Sequence, residues 1–193
     1  MRFLAAIALA VTSGCIGWSH RTTAGVSHGK VDHAYVEETV GLDARRLDEP
    51  SAGESAVFVF WGIGGRVARQ FQDGSVRGGP LTAFGVSYFR GRYGVVGLGA
   101  VGGALSRDKS DVFTRFQVGV EVEAGQSDWR LIEQPPSTCA GYTETRPKSA
   151  NRTHFMFGLL PGVEYTGSEG ASVSLSASFR EIVEPSPCDA VGP

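Results

Sequence analysis

Lysine is nearly missing from this chain of 193 residues. It occurs only as Lys30, Lys109 and Lys148, so arginine carries most of the 18 positive charges. Neither sign of charge forms a long run, and the formal net charge is -2. That balance excludes the basic footprint of a nucleic-acid binder. Four histidines, His20, His28, His33 and His154, are scattered without ligand-like spacing or a neighbouring cysteine or aspartate cluster, so no metal or other cofactor is expected. No serine has plausible histidine and aspartate partners, so no catalytic residue and no enzyme activity are expected. A helical period is absent from residue 55 to 185. With 41% apolar residues the chain is too hydrophobic for general disorder, and its length fits one domain.

Long apolar runs are also missing, except at the start. Phe3 to Val11 is almost unbroken, preceded by Arg2 and followed by small residues. This is the layout of a secretory signal peptide, too short to span a bilayer as a helix. The run ends in Thr12-Ser13-Gly14-Cys15, which resembles the lipobox of bacterial lipoproteins, with Thr12 where that family usually has leucine. The resemblance implies cleavage before Cys15 and acyl chains, palmitate among them, on the new terminal cysteine. Ile16 after the cysteine implies sorting to the outer membrane of the cell envelope. Residues 1–14 are then a signal peptide. Residues 15–53, rich in Ser, Thr, Gly and His around 20–30, read as a lipidated cysteine and flexible tether. Residues 54–193 read as the folded domain, and membrane lipid is the expected partner.

From residue 55 the hydrophobic period is two. Phe116, Val118, Val120 and Val122 alternate with Gln117, Gly119, Glu121 and Glu123. Val173, Leu175, Ala177 and Phe179 alternate with serines and Arg180. Similar alternation runs through 57–63, 84–88 and 155–165. Turn residues at 72–75, 91–92, 107–111 and 165–170 separate these segments. The fold class is therefore all-β: an antiparallel meander of six long strands, or eight counting 31–40 and 127–133. It reads as an up-and-down β-barrel or a strongly curved sheet. Residues 134–152 carry prolines and no period, and read as a long loop. Cys139 lies in that loop and Cys188 lies just past the final strand. Hairpin geometry puts both at one rim, and an exported compartment permits a Cys139–Cys188 disulfide.

Alternation alone leaves two opposite barrels open. A soluble barrel turns its apolar face inward. An outer-membrane barrel turns it to lipid and keeps a polar lumen. Here the polar face is mostly Gly and Ser with scattered charges, and suits a narrow lumen. Arg115, Gln117, Glu121, Glu123 and Arg180 are its candidate lumen residues. Tyr88, Phe89, Tyr93, Phe155 and Tyr165 are candidate interfacial aromatics. The stretches Gly85-Val86-Ser87-Tyr88-Phe89-Arg90-Gly91-Arg92-Tyr93-Gly94 and Leu160-Pro161-Gly162-Val163-Glu164-Tyr165 resemble small outer-membrane β-barrel proteins in style. That resemblance implies a barrel with a structural or interaction role. The chain departs from it in the tail from Pro185 to Pro193, since it does not end on an aromatic-terminated strand. The alternative is a soluble periplasmic barrel whose Trp61, Phe84, Phe116, Phe157 and Phe179 line a cavity for a small apolar ligand. Gly97-Leu98-Gly99-Ala100-Val101-Gly102 matches G-x-G-x-x-G, but leaves no room for the helix that would hold a pyrophosphate. The pair Glu121 and Glu123 shares one strand face, where pairing with Arg115 or Arg180 is the expectation rather than acid–base chemistry.

Overall fold

Alternating side chains of period two commit the backbone to extended strands, and the computed structural model has eight of them among its described residues, 15–47, 55–106, 110–129 and 151–184. They are β1 (Cys15–His28), β2 (His33–Leu47), β3 (Ser55–Gln70), β4 (Val76–Arg90), β5 (Tyr93–Leu105), β6 (Ser110–Trp129), β7 (Asn151–Thr166) and β8 (Gly170–Glu184). Each pairs antiparallel with the next, and β8 pairs with β1, closing the barrel. Closure leaves no unpaired strand edge. The G-x-G-x-x-G run lies wholly within β5.

Register sets the shape. Cross-strand partners lead from Ser19 through Gly41, Gly62, Ala83, Ala100, Arg115, Glu164 and Ser172. One step past the last β1–β8 pair, His28 with Val173, the path returns at Gly29, ten residues beyond its start. Eight strands with that shear tilt by about 40° and enclose a lumen just wide enough for side chains to fill.

The two ends differ. Both ends of the meander, Cys15 and Glu184, lie at one, the terminus end. The four connections at the other, the turn end, span only residues 29–32, 71–75, 106–109 and 167–169. At the terminus end, β4 and β5 meet in a tight turn at Gly91-Arg92, where Gly91 has φ of 61°, the positive value that two-residue hairpins demand.

Four expectations change. Residues 15–47, read as a tether, are β1 and β2. Their outward face is only modestly apolar, with Thr22, His20 and Glu38 among Trp18, Val26, Val36 and Val40, so they miss the pattern of a strand covering a hydrophobic core. A barrel that is polar inside does not require that pattern. Residues 127–129 continue β6 and form no separate strand, and β7 starts at Asn151, inside the stretch read as loop. Phe89, read as an interfacial aromatic, points inward and packs edge-on against Phe58 with ring centroids 5.6 Å apart. The signal-peptide residues, Cys139 and Cys188 lie outside the described residues.

Candidate functional site

The outer wall of the barrel carries large apolar side chains. Trp61, Phe84, Phe116 and Phe157 are each more than half exposed, and Phe179 packs beside Phe157 on the same outer wall with ring centroids 5.1 Å apart. The apolar cavity of the ligand-carrier reading is therefore not formed by these side chains: strand parity turns them away from the lumen. Val112, Phe116, Val118, Val120 and Val122 on β6, and Val57 to Val67 on β3, continue this outer face over ten residues of strand. At roughly 3.3 Å per residue and about 40° of tilt, ten residues rise about 25 Å, the height of a lipid-facing band. Charge returns at the band's edges, where Arg69 and Arg90 are exposed.

Inside, one side of the lumen is apolar. Phe60, Leu81, Ala83, Val96, Leu98, Ala100, Phe113 and Leu160 form a buried cluster centred on β3 to β5. The other side carries charge, in two networks stacked along the axis.

The network nearer the turn end joins β2, β3, β6 and β7. Arg66 holds Glu164 with both terminal nitrogens, at 2.8 and 2.9 Å. Arg115 holds Glu37 the same way, and lies 3.8 Å from Glu164. Arg66 Nη1 also lies 3.6 Å from Glu37. Two arginines thus neutralise two glutamates. His33 Nε2 sits 3.1 Å from Glu164 Oε1 and 2.8 Å from Arg66 Nη2. The guanidinium of Arg66 stacks between the rings of Tyr35 and Phe113, at 4.4 and 4.2 Å from their centroids. Toward the middle, Gln117 Nε2 donates to the Leu160 carbonyl and the Ser176 hydroxyl, both at 2.9 Å.

The network nearer the terminus end joins β1, β2, β6 and β8. Glu121 takes Arg21 on one carboxylate oxygen and Arg180 on the other, each at 3.0 Å. Arg180 Nη1 lies 3.7 Å from Asp43, and its Nη2 donates to Ser87 Oγ at 3.1 Å. Two arginines again balance two carboxylates. Arg21 and Arg180 also face the rings of Phe60 and Phe58, at 5.5 and 5.6 Å. Desolvation on this scale is tolerated only because each charge faces an opposite one.

Smaller pairs sit at each mouth. At the turn end Arg77 pairs with Glu169, which also accepts from Gln70 Nε2 at 2.9 Å. The space left between His33, Arg66, Gln70, Phe113 and Glu164 is about 20 Å³, room for about one water. At the terminus end His154 Nδ1 lies 2.7 Å from Glu123 Oε1.

The sequence-derived lumen residues therefore divide. Arg115 joins the turn-side network, Glu121 and Arg180 the terminus-side one, Gln117 sits between them, and Glu123 pairs with His154 at the rim. Arg115 does not pair with Glu121 or Glu123. Its partner Glu37 was invisible to the sequence reading, because Glu37, Arg21 and Asp43 fall in the segment taken as a tether. Arg66 and Glu164 carried a usable signal: each is a charge flanked by outward apolar neighbours, Val67 on one strand and Val163 and Tyr165 on the other.

No family profile, curated protein or solved structure matches this chain. The class it belongs to therefore rests on its fold: an eight-stranded, closed, antiparallel up-and-down β-barrel with a charge-paired interior.

Proposed function

We propose that this chain is an outer-membrane-type β-barrel lipoprotein: its wall sits in a lipid bilayer, and its role is structural or in recognition rather than in conduction, carriage or catalysis. The observation that carries the reading is the inverted partition, with bulky apolar residues outside over about 25 Å and balanced arginine–carboxylate networks inside. Aromatic placement supports it. Traced through the register, Trp18, Tyr88, Tyr93 and Phe155 share one level near the terminus-side edge of the band, where interfacial rings settle. Tyr165 and Phe71 lie toward the opposite edge. The filled lumen favours a closed wall over a pore.

Cys15 opens β1, so the backbone position that would bear the acyl chains lies at the terminus-end rim, next to the band, with no spacer between. An acyl anchor there adds lipid contact to a wall already in lipid, at about 0.8 kcal/mol per buried methylene. The expected loop 134–152, up to the start of β7 at Asn151 and together with the proposed Cys139–Cys188 bridge, is the proposed contact surface, since long connections on rigid scaffolds carry recognition.

The test is fractionation with heat-modifiable gel mobility, on the wild type, on Cys15→Ser, and on residues 16–193 exported behind a non-lipoprotein leader. The reading expects the last form to remain in alkali-washed membranes as a compact, heat-modifiable species. Its release as a soluble protein would overturn the membrane-embedded wall. Unchanged processing of Cys15→Ser would overturn the lipid anchor alone.

A further inference from the structure

The outward positions of β2 run Ala34, Val36, Glu38, Val40, Leu42 and Ala44. Glu38 is exposed, with apolar residues on both sides of it along the strand. It lies six residues from Asp32 at the turn end, about 14 Å along the axis, and nine from Leu47 at the other end of its strand. That is the middle of the apolar band, too deep for a short side chain to carry its head to water. Among the described residues Glu38 has no hydrogen bond and no ion pair. The lumen's carboxylates Glu37, Glu121 and Glu164 all have arginine partners; this one faces out with none.

An ionisable group at that depth is costly in lipid and is kept where something other than lipid meets it. Its surroundings indicate what. Its register partner on β3 is Gly65, which has no side chain. Its partner on β1 is Thr22, with His20 two residues along and Ala24 on the other side. One strand thus carries an acceptor, and the next carries a donor, Thr22, at almost the same level, among small residues; His20 sits about 8 Å lower along the axis. A two-fold axis parallel to the barrel axis, running between β1 and β2, would set β2 of each copy against β1 of the other. Two barrels inserted in the same direction meet level with level, so each Glu38 would face Thr22 of the other copy. The patch is self-complementary, as an isologous interface requires, and small residues allow the close approach that packing in lipid needs.

We infer that the face formed by β1 and β2 is a dimer interface within the membrane, in which Glu38 of each copy accepts a hydrogen bond from Thr22 of a second copy of this chain. The inference rests on the membrane-embedded reading above. The test uses the full chain reconstituted into phosphatidylcholine–phosphatidylglycerol vesicles, with dimerisation followed by energy transfer as protein density is lowered. Membrane co-sedimentation and heat-modifiable mobility are measured on the same samples. Glu38→Val should remain inserted and heat-modifiable while its dimer dissociation constant rises about tenfold or more. A benzophenone side chain at position 24 should crosslink two copies, and one at position 163, on β7, should not. Inserted, folded wild type that stays monomeric at every density overturns the inference but leaves the membrane reading intact. So does a Glu38→Val variant that dimerises as well as wild type, or crosslinking from position 24 only to a different protein when membranes of the native host are used. A wild-type protein that folds but does not co-sediment with vesicles overturns both.

Discussion

At the scale of single residues the barrel is a problem in charge accounting. Glu121 is the hinge of the terminus-side network, because both Arg21 and Arg180 meet it. Glu121→Gln keeps the shape and removes the charge, leaving two buried arginines against Asp43 alone. The expected loss is about 3–5 kcal/mol of folding stability, measured by urea titration of the barrel in vesicles. Glu123→Gln at the rim, where the carboxylate is 22% exposed, should cost under about 1 kcal/mol in the same assay. Asp73, outside the band in the β3–β4 turn, offers a pH handle. The Ser75 backbone N–H donates to its carboxylate at 2.8 Å and holds the acid below its ordinary range. The folded state thus binds the proton less tightly than the unfolded chain. The contribution of this turn is whole above about pH 4 and is lost as pH falls through the lower folded value. Titration of the Asp73 carboxyl by NMR should show a midpoint below that of an unstructured aspartate.

At the scale of elements, strands touch so closely that glycine is required at some positions and incidental at others. A Cβ at Gly64 would lie 1.7 Å from the Glu38 carbonyl oxygen, and one at Gly119 would lie 2.0 Å from that of Leu159. A Cβ at Gly97, on the outer face of β5, would meet nothing within 4 Å. Gly64→Ala and Gly119→Ala should each cost about 1–3 kcal/mol or more, while Gly97→Ala should be neutral or slightly stabilising. Strands β1 and β2 are integral to closure, since β8 has β1 as its other neighbour. Removing residues 15–47 should abolish the heat-modifiable form, an outcome that a mere tether over this segment would not produce.

At the scale of the whole molecule the controlling quantity is the sign of the radial hydrophobic gradient. Val118 faces outward near mid-band. Val118→Arg should lower stability in vesicles by about 2–4 kcal/mol, with a much smaller effect for an arginine placed beside Arg90 at the band's edge. The same gradient predicts the electrical behaviour. With two arginine networks and an apolar cluster filling the lumen, the reconstituted barrel should give no stepwise ionic current in planar bilayers. Regular unitary steps from the folded protein would contradict a plugged interior.

Much of this was readable beforehand where local chemistry decides it. The all-β class, the meander and the turns near 72–75, 91–92, 107–111 and 165–170 follow from period-two alternation broken by Gly and Asp, which acts between sequence neighbours. Strand β1 escaped, and β2 was read only as the weak segment 31–40, because Ser, His and Gly have little strand signature of their own. They become strands through pairing with β3, the next strand, and with β8, a partner far along the chain. The partnership of Arg115 with Glu37, and of Glu121 with Arg21, was likewise undetermined by alternation, which says only that these side chains share a face. Closure with a shear of ten residues decides which of them meet, because register around a ring is a property of all eight strands at once. Which face points inward was also settled by closure: the narrow interior admits the mutually neutralising charges and the apolar cluster packed beside them, and Trp18, Trp61 and most of the valines are left on the circumference.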